Sequence, residues 1–486
     1  MQVFSKVSQR LRHSLKGPFL FSFSNIAIAS ILCAALSVGM SQLAHAQAGG
    51  PGGGGGFQLK HADQHDPEYF ERTTDSQSAA EAETLGLPLF LVNASRIRIE
   101  FRPGVQPANA RALAQQYGFV PLDSFQAPDT DALIMLAATT SVAHNLAAYQ
   151  AISALAKDRD VQSAQLDTTF LPQDSGVEAQ SYSYMNTQYV FRLIGLGLAQ
   201  NMSTGTDAEI ALIDTWVDQK HPAFTAASLS RIDDAGPKSG IGEEGTAGDA
   251  EAAAALYEDH GTRMAGVLAA NGPIRGVAPD ARVLLYDVFA PGQGGSGTAS
   301  GFYIAKSLSD AILRNVDVVN ISLCGPYDGL VSRVITAAVQ KQVAIVAAAG
   351  NGGPLSRACY PAANDGVIAV TATDQDDRLY AQANRGNYIM LAAPGVDILT
   401  AASRGKLGLA TGTSFAAAHV TGMVALLRSR HPDLTVESIV KILTYSAKDM
   451  GLEGRDADFG AGRLSALEAM ILSDQDLAAY EAFQAP

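Results

Sequence analysis

From about residue 209 onward, apolar residues gather into short runs that alternate with helix-like stretches. The run Ile210–Ile213 closes on Asp214, the pattern expected at the carboxyl end of a buried parallel strand. Similar strand-like runs fall at Arg282–Phe289, Val316–Leu323, Val343–Ala349, Val367–Thr373 and Met390–Ala393. With Glu209–Asp214 they predict a mainly parallel sheet layered between helices. The segment Ala410–Arg428 reads as a tight turn followed by an apolar helix of about five turns.

A different pattern precedes it. Arg96–Phe101 (R-I-R-I-E-F) alternates as a half-buried strand does, and Pro107–Tyr117 is helix-like. Phe119–Phe125 and Ala132–Leu136 are strand-like, Val142–Lys157 reads as a helix, and Val161–Leu166 as a last strand. The order β-α-β-β-α-β predicts a small ferredoxin-like α+β domain over residues 95–172. An unrelated interaction module with the same order is the alternative.

Residues 1–46 read as a secretory signal. Lys6, Arg10, Arg12 and Lys16 form its basic region, Ile26–Met40 its apolar core, and Ala44-His45-Ala46 a small-x-small cleavage site. An apolar core of about fifteen residues is short for a retained membrane anchor. Arg10 and Arg12 are not adjacent, which leaves a twin-arginine route unsupported, and Leu32 before Cys33 makes a poor lipobox. The expectation is an exported chain, periplasmic or extracellular, with no membrane anchor after signal removal. Residues 47–94 form a Gly-rich and polar linker, including A-G-G-P-G-G-G-G-G at Ala48–Gly56. The net charge of −14 over 486 residues, with no basic stripe, argues against a nucleic-acid partner.

Ser414 sits where the turn meets the apolar helix, so its backbone N–H and the helix dipole both favour negative charge beside its hydroxyl. Read alone it is a helix cap. A hydroxyl becomes a nucleophile only when a base takes its proton, which directs attention to the nine histidines. His13, His45, His61 and His65 fall in the leader or linker, and His144 in an earlier helix. His221, His419 and His431 sit in packing contexts. His260 opens D-H-G-T-R-M-A-G-V-L-A-A-N, where a loop meets a small-residue helix. Asp214 is the carboxylate candidate, with Asp218 its competitor beyond the strand end. The order Asp214, His260, Ser414 differs from that of chymotrypsin-like enzymes and of α/β-hydrolases, and no G-x-S-x-G elbow occurs.

These motifs resemble those of the subtilisin-like (subtilase) serine proteases. V-V-N-I-S-L at Val318–Leu323 is similar to the family's substrate-pairing strand, and A-I-V-A-A-A-G-N at Ala344–Asn351 to the strand ending in its oxyanion asparagine. Y-P-A-A…V-I-A-V-T-A-T at Tyr360–Thr373 and D-F-G-A-G-R-L at Asp458–Leu464 also fit. The resemblance implies a subtilisin-like three-layer sandwich over residues 189–486, acting as a serine endopeptidase on protein or peptide substrates. It implies an acyl-enzyme formed by the Asp214–His260–Ser414 triad, and Asn351 holding the oxyanion. Substrate would pair with Gly295, Ser296 and Gly297 on one edge and Ser322, Leu323 and Cys324 on the other. Residues 95–172 become a propeptide that occupies the cleft, followed by a linker with the processing site at 173–188. No cofactor is required for the chemistry, and structural calcium is left open; Asp374–Asp377 reads as a solvated acidic loop.

Three departures from the family pattern concern geometry more than catalytic groups: Trp216 in place of Gly, Arg263 in place of His, and Ala418 in place of Pro. A catalytically silent peptide-binding protein on the same fold is the rival reading. Gly292, Gly294 and Gly297 spell G-x-G-x-x-G, but Pro291 and further loop residues interrupt the strand–turn–helix that dinucleotide binding needs. Cys33 leaves with the signal, and the resemblance places Cys324 and Cys359 beside the pocket for the residue before the cut bond. A Cys324–Cys359 disulfide narrowing that pocket is one expectation, and two buried free thiols are the other.

Overall fold

Within each buried strand, successive side chains point to opposite faces, and here both faces are apolar. The computed structural model describes residues 93–139, 151–152, 154–172, 175–177, 188–236, 259–290, 298–402, 404–475, 477 and 480. The signal, most of the linker, the glycine run at 292–297 and part of the expected helix 142–157 lie outside them.

Four strands come first: β1 (Asn93–Phe101), β2 (Phe119–Gln126), β3 (Leu133–Thr139) and β4 (Val161–Asp167), with a helix at Pro107–Gln116 between β1 and β2. They form an antiparallel sheet in the order β2-β3-β1-β4. Alternation in β1 sends Ile97, Ile99 and Phe101 into a core shared with Ala110 and Ala114 of that helix. Two short strands follow, β5 (Thr169–Pro172) and β6 (Ser175–Val177).

The main sheet is built from β7 (Glu209–Asp214), β8 (Ser228–Arg231), β9 (Arg282–Asp287), then β12 (Val318–Ile321), β14 (Ala344–Ala348), β15 (Val367–Thr373) and β16 (Leu391–Pro394). Between these lie β10 (Phe289–Ala290), β11 (Thr298–Ser300) and β13 (Leu323–Cys324), and the chain continues through β17 (Ile398–Ala402) and β18 (Lys406–Thr411). The seven-stranded order is β16-β15-β14-β12-β7-β9-β8, with every pair parallel. All six strand-like runs of the sequence enter it. Two of them divide: Arg282–Phe289 into β9 and β10, and Val316–Leu323 into β12 and β13.

Ile210 and Leu212 face one layer while Ala211 and Ile213 face the other; β14 does the same with Val346 and Ala347. One layer holds the helix Thr413–Arg430 and the helical residues 259–269; the opposite layer holds the helices Gly301–Arg314 and Gly329–Gln340. This is an α/β three-layer sandwich. The chain leaves β7 toward β9 and β8 on one side and returns to β12 on the other, so Asp214 ends a strand at the switch point where α/β folds place their sites.

The small sheet packs on the outer helix layer through charge as well as apolar contact. Arg98 donates to Asp328 at 2.8 Å in a buried pair, Arg333 meets Glu100 at 2.9 Å, and Lys306 meets Asp123 at 2.5 Å. Asp328 also caps the helix Gly329–Gln340 by accepting from Leu330 N and Val331 N. Burial alone would raise the Asp328 pKa; the Arg98 charge and the hydrogen bonds from Arg98, Thr168 and Val331 outweigh it and hold it low. Burial does dominate at Asp167, whose pKa rises to about 6 although it accepts from Ser300 and Phe302 N.

His419, in the middle of the buried helix, has its Nδ1 2.8 Å from the Phe415 carbonyl. Burial disfavours the imidazolium and lowers its pKa from 6.5 to about 4. A lowered folded-state pKa stabilises the fold above pH 6.5 and withdraws that stability as pH falls toward 4. Over that window the unfolded chain binds a proton that the folded chain refuses. Between pH 7 and pH 4 the chain should lose about 3 kcal/mol more stability than its His419→Gln variant does. Denaturant unfolding of both in a Ser414→Ala background measures this, and parallel pH profiles would refute it.

Candidate active site

The carboxyl end of β7 supplies a carboxylate with a fixed orientation. Thr215 N donates to Asp214 Oδ1 at 2.7 Å, and His260 Nδ1 lies 2.6 Å from the same oxygen. Both side chains are buried. Gly261 N donates to Thr215 Oγ1 at 2.8 Å, which ties the start of the histidine's helix to the end of the strand. A Cβ on Gly261 would run into the Thr215 and Trp216 carbonyl oxygens, so only glycine permits this approach. Asp218 is used differently: its N–H donates to Thr262 Oγ1 at 2.9 Å and its carboxylate accepts from Lys220 N. The structure therefore pairs His260 with Asp214 rather than with the competitor.

Ser414 lies in the first turn of the 18-residue helix Thr413–Arg430, whose residues through Arg428 are buried. Phe415, its neighbour, has its ring centre 6.4 Å from that of His260, which brings the serine's turn against the histidine. From β12, Asn320 Nδ2 donates to Thr421 Oγ1 at 2.8 Å and Ser322 Oγ donates to Asn320 Oδ1 at 3.0 Å. Ser322 Oγ also reaches the Ser414 carbonyl at 3.5 Å. A buried polar chain thus joins the strand to the serine's helix.

Asn351 follows β14. Its Oδ1 accepts from Thr413 N at 3.0 Å and Thr413 Oγ1 at 2.9 Å, while Thr413 Oγ1 accepts from Gly350 N at 3.1 Å. Because a backbone N–H can only donate, the oxygen of the amide faces Thr413 and the NH₂ faces away from it. Thr413 therefore orients the Asn351 amide, a contact the sequence reading missed; beside Ser414 it reads as an ordinary helix-start threonine.

Two departures from the family pattern find local partners. The Arg231 guanidinium lies 5.2 Å from the Trp216 ring centre, a cation–π stack. Arg263 is buried and pairs with Asp259 at 2.5 Å, one turn back and next to His260. Ala418 is buried in its helix. Of the other described histidines, His221 accepts from Ala223 N at 3.0 Å and His431 pairs with Asp474 at 2.9 Å.

One of the two edges singled out for substrate, at Leu323 and Cys324, holds a strand of this chain. Leu323 and Cys324 of β13 pair antiparallel with Pro172 and Leu171 of β5, whose other side pairs with Ala299 and Ser300 of β11. Gly295, Ser296 and Gly297 lie outside the described residues, just ahead of β11. Farther along, β6 pairs with β18, Ser175 opposite Thr411. Cys324 and Cys359 come together with Cα atoms 5.3 Å apart and their sulfurs in contact. Among the described residues no group of three or more His, Cys, Asp or Glu side chains could hold a metal ion, and no helix is long and apolar enough to cross a membrane.

Residues 205–462 match the model of the Subtilase family. The Major intracellular serine protease of Bacillus subtilis (strain 168) is 36% identical over 233 residues, covering 46% of this chain and 69% of that protein. Subtilisin E of the same organism is 33% identical over 258 residues, covering 51% of this chain and 62% of the relative. In structure, the chain is similar to fervidolysin from Fervidobacterium pennivorans, a keratinolytic enzyme related to subtilisin. That match has a TM-score of 0.62 and 22% identity over 79% of this chain and 61% of the other. It concerns the fold. With the family match spanning more than half of the sequence, the chain belongs to the subtilase family of serine proteases.

Proposed function

We propose that the chain is an exported serine endopeptidase that cuts peptide bonds through Asp214, His260 and Ser414. The observation that carries this reading is the 2.6 Å contact between His260 Nδ1 and Asp214 Oδ1 at the switch point of the sheet. A carboxylate there keeps the ring proton on Nδ1, which leaves Nε2 to act as base. In the reaction, Ser414 Oγ attacks the scissile carbonyl as Nε2 takes its proton. His260 then delivers that proton to the leaving amine, and water repeats the sequence on the acyl-enzyme. Asn351, its oxygen engaged by Thr413, presents its NH₂ to the oxyanion together with Ser414 N–H. Binding rests on backbone pairing with β13 and β11, a mode that places few demands on sequence.

Residues 95–172 act in this reading as a propeptide. The antiparallel pairing of β5 with β13 and with β11, and the buried Arg98–Asp328 pair, support an inhibitor seated in the cleft. Export rests on the leader composition alone; the relatives' names include both an intracellular and an extracellular protease.

Ser414→Ala should give a folded, full-length chain that no longer processes itself and no longer reacts with a fluorophosphonate probe. Loss of a triad serine in a subtilisin costs about a million-fold in turnover. Normal maturation of the isolated variant would remove the nucleophile assignment and self-processing together. Probe reactivity of the wild-type chain also separates an active enzyme from the silent peptide-binding alternative.

Asn351→Leu should lower kcat about 100- to 1000-fold with little change in KM, as removing this type of donor does in a subtilisin. A change confined to KM would show that Asn351 binds ground-state substrate.

The Cα spacing of Cys324 and Cys359 is within the range a disulfide spans, so alkylation under non-reducing conditions should label neither. Two labelled thiols in mature, oxidised protein would restore the free-thiol alternative.

A further inference from the structure

His260 and Ser414 sit on separate elements, the first in the helical residues 259–269 and the second at the start of the helix Thr413–Arg430. Asp214 and Thr215 hold the start of the histidine's helix against β7. Those bonds fix the base on the carboxylate side; its gap to Ser414 depends on what the same helix meets on its other side. There it meets the antiparallel pair β17–β18. β18 ends at Thr411, three residues ahead of Ser414, so this ladder and the serine's turn are continuous chain.

One residue of the helix reaches the ladder twice. The Arg263 carbonyl accepts from Thr400 Oγ1 at 2.7 Å, and the Arg263 guanidinium Nη1 lies 3.4 Å from the Leu409 carbonyl. The guanidinium also rests over Gly408, where a Cβ would come within 3.2 Å of Nη1. Thr400 and Gly408 are partners across the β17–β18 ladder. The backbone and the side chain of Arg263 thus hold both strands at one rung. Its Nε meets Asp259 Oδ2 at 2.5 Å, and Asp259 is the residue directly before His260.

We infer that Arg263 is a positioning residue, which acts through the β17–β18 ladder to hold His260 Nε2 at proton-transfer distance from the Ser414 hydroxyl. The inference rests on the peptidase reading above. Burial argues for it. Arg263 is 3% exposed, and pairing with a carboxylate often fails to repay the desolvation of a guanidinium, so an aliphatic side chain of similar volume would serve stability as well. An aliphatic chain cannot bond Asp259 and the Leu409 carbonyl at once, whereas the planar fork of donors does. What the guanidinium adds over an apolar residue is therefore geometry, and the geometry joins the base's helix to the strand that runs into the nucleophile.

Three variants of the full chain test this after processing, at a temperature well below the unfolding midpoint. Arg263→Met should lower kcat about 10- to 100-fold with KM within about twofold, and should slow fluorophosphonate labelling by the same factor as kcat. Gly408→Ala pushes on the guanidinium from the ladder and leaves Asp259 untouched; it should lower kcat about 3- to 10-fold. Arg263→Lys keeps a charge for Asp259 but loses the fork, so it should restore the thermal midpoint and leave kcat low. Wild-type kcat in both Arg263→Met and Gly408→Ala overturns the proposal, as does a rise confined to KM. Full recovery of kcat in Arg263→Lys overturns the bridge in favour of the charge pair alone. Should Arg263→Met fail to fold, Gly408→Ala decides by itself, wild-type kcat in it being the overturning result. A wild-type chain that neither processes itself nor reacts with the fluorophosphonate would instead be a failure of the peptidase reading.

Discussion

Placing the first turn of a fully buried helix against the carboxyl ends of β7 and β12 is the constraint on which the rest depends. The helix Thr413–Arg430 has no solvent face until its last residues, so it has to be apolar all round, and A-A-A-H-V-T-G-M-V-A-L-L satisfies this almost without interruption. Its interior polar groups are then admitted only with partners. Thr421 Oγ1 donates back to the Ala417 carbonyl at 2.9 Å and accepts from Asn320, which fixes the helix along its axis relative to the strand. A slide of one turn would keep the Thr421–Ala417 bond but take Thr421 away from the buried Asn320 amide, and would move Ser414 about 5.4 Å from His260's neighbourhood. Position at the site is thus set by hydrogen bonds made away from it.

Charge plays the matching role on the opposite face of the sheet. Arg98, Asp328, Asp167, Ser300 and Thr168 form a buried polar cluster where the small sheet meets the two outer helices. Such groups add little net stability, because desolvation offsets much of the attraction, but they resist any other docking geometry. Asp328 and Asp167 also bond backbone N–H groups at a helix start. The small sheet thus meets the two outer helices at their starts, through Asp167 at one and Arg98 on the capping Asp328 at the other, as well as by the Phe125–Phe302 edge contact at 5.3 Å between ring centres.

The main sheet and the triad candidates were legible because they rest on local pattern. A strand buried on both faces has to be an apolar run, and Asp214 at the end of one stands out against it. Asn320 and Ser322 carried a weaker signal of the same kind: polar residues inside V-V-N-I-S-L have to find buried partners, although sequence does not say which. Thr413 carried none, since a threonine beside a helix start is ordinary. β5, β6, β8, β11, β17 and β18 were also missed as strands. Each is between three and six residues long, and most owe their strand state to a partner far along the chain, which no local period records.

Those short strands also show how backbone pairing and side-chain burial divide the work of holding β5. β11 and β13 are edges that lack a neighbour unless an extended segment fills the gap, and unpaired edges attract strands of almost any sequence. Within β5, adjacent residues point to opposite faces, so Phe170 and Leu171 meet different surroundings: the first buried completely, the second partly exposed. Backbone bonds supply attraction without register, and the buried face supplies register without adding backbone bonds. β5 meets both demands at once: it pairs with β13 on one side and β11 on the other, and it buries Phe170 between them.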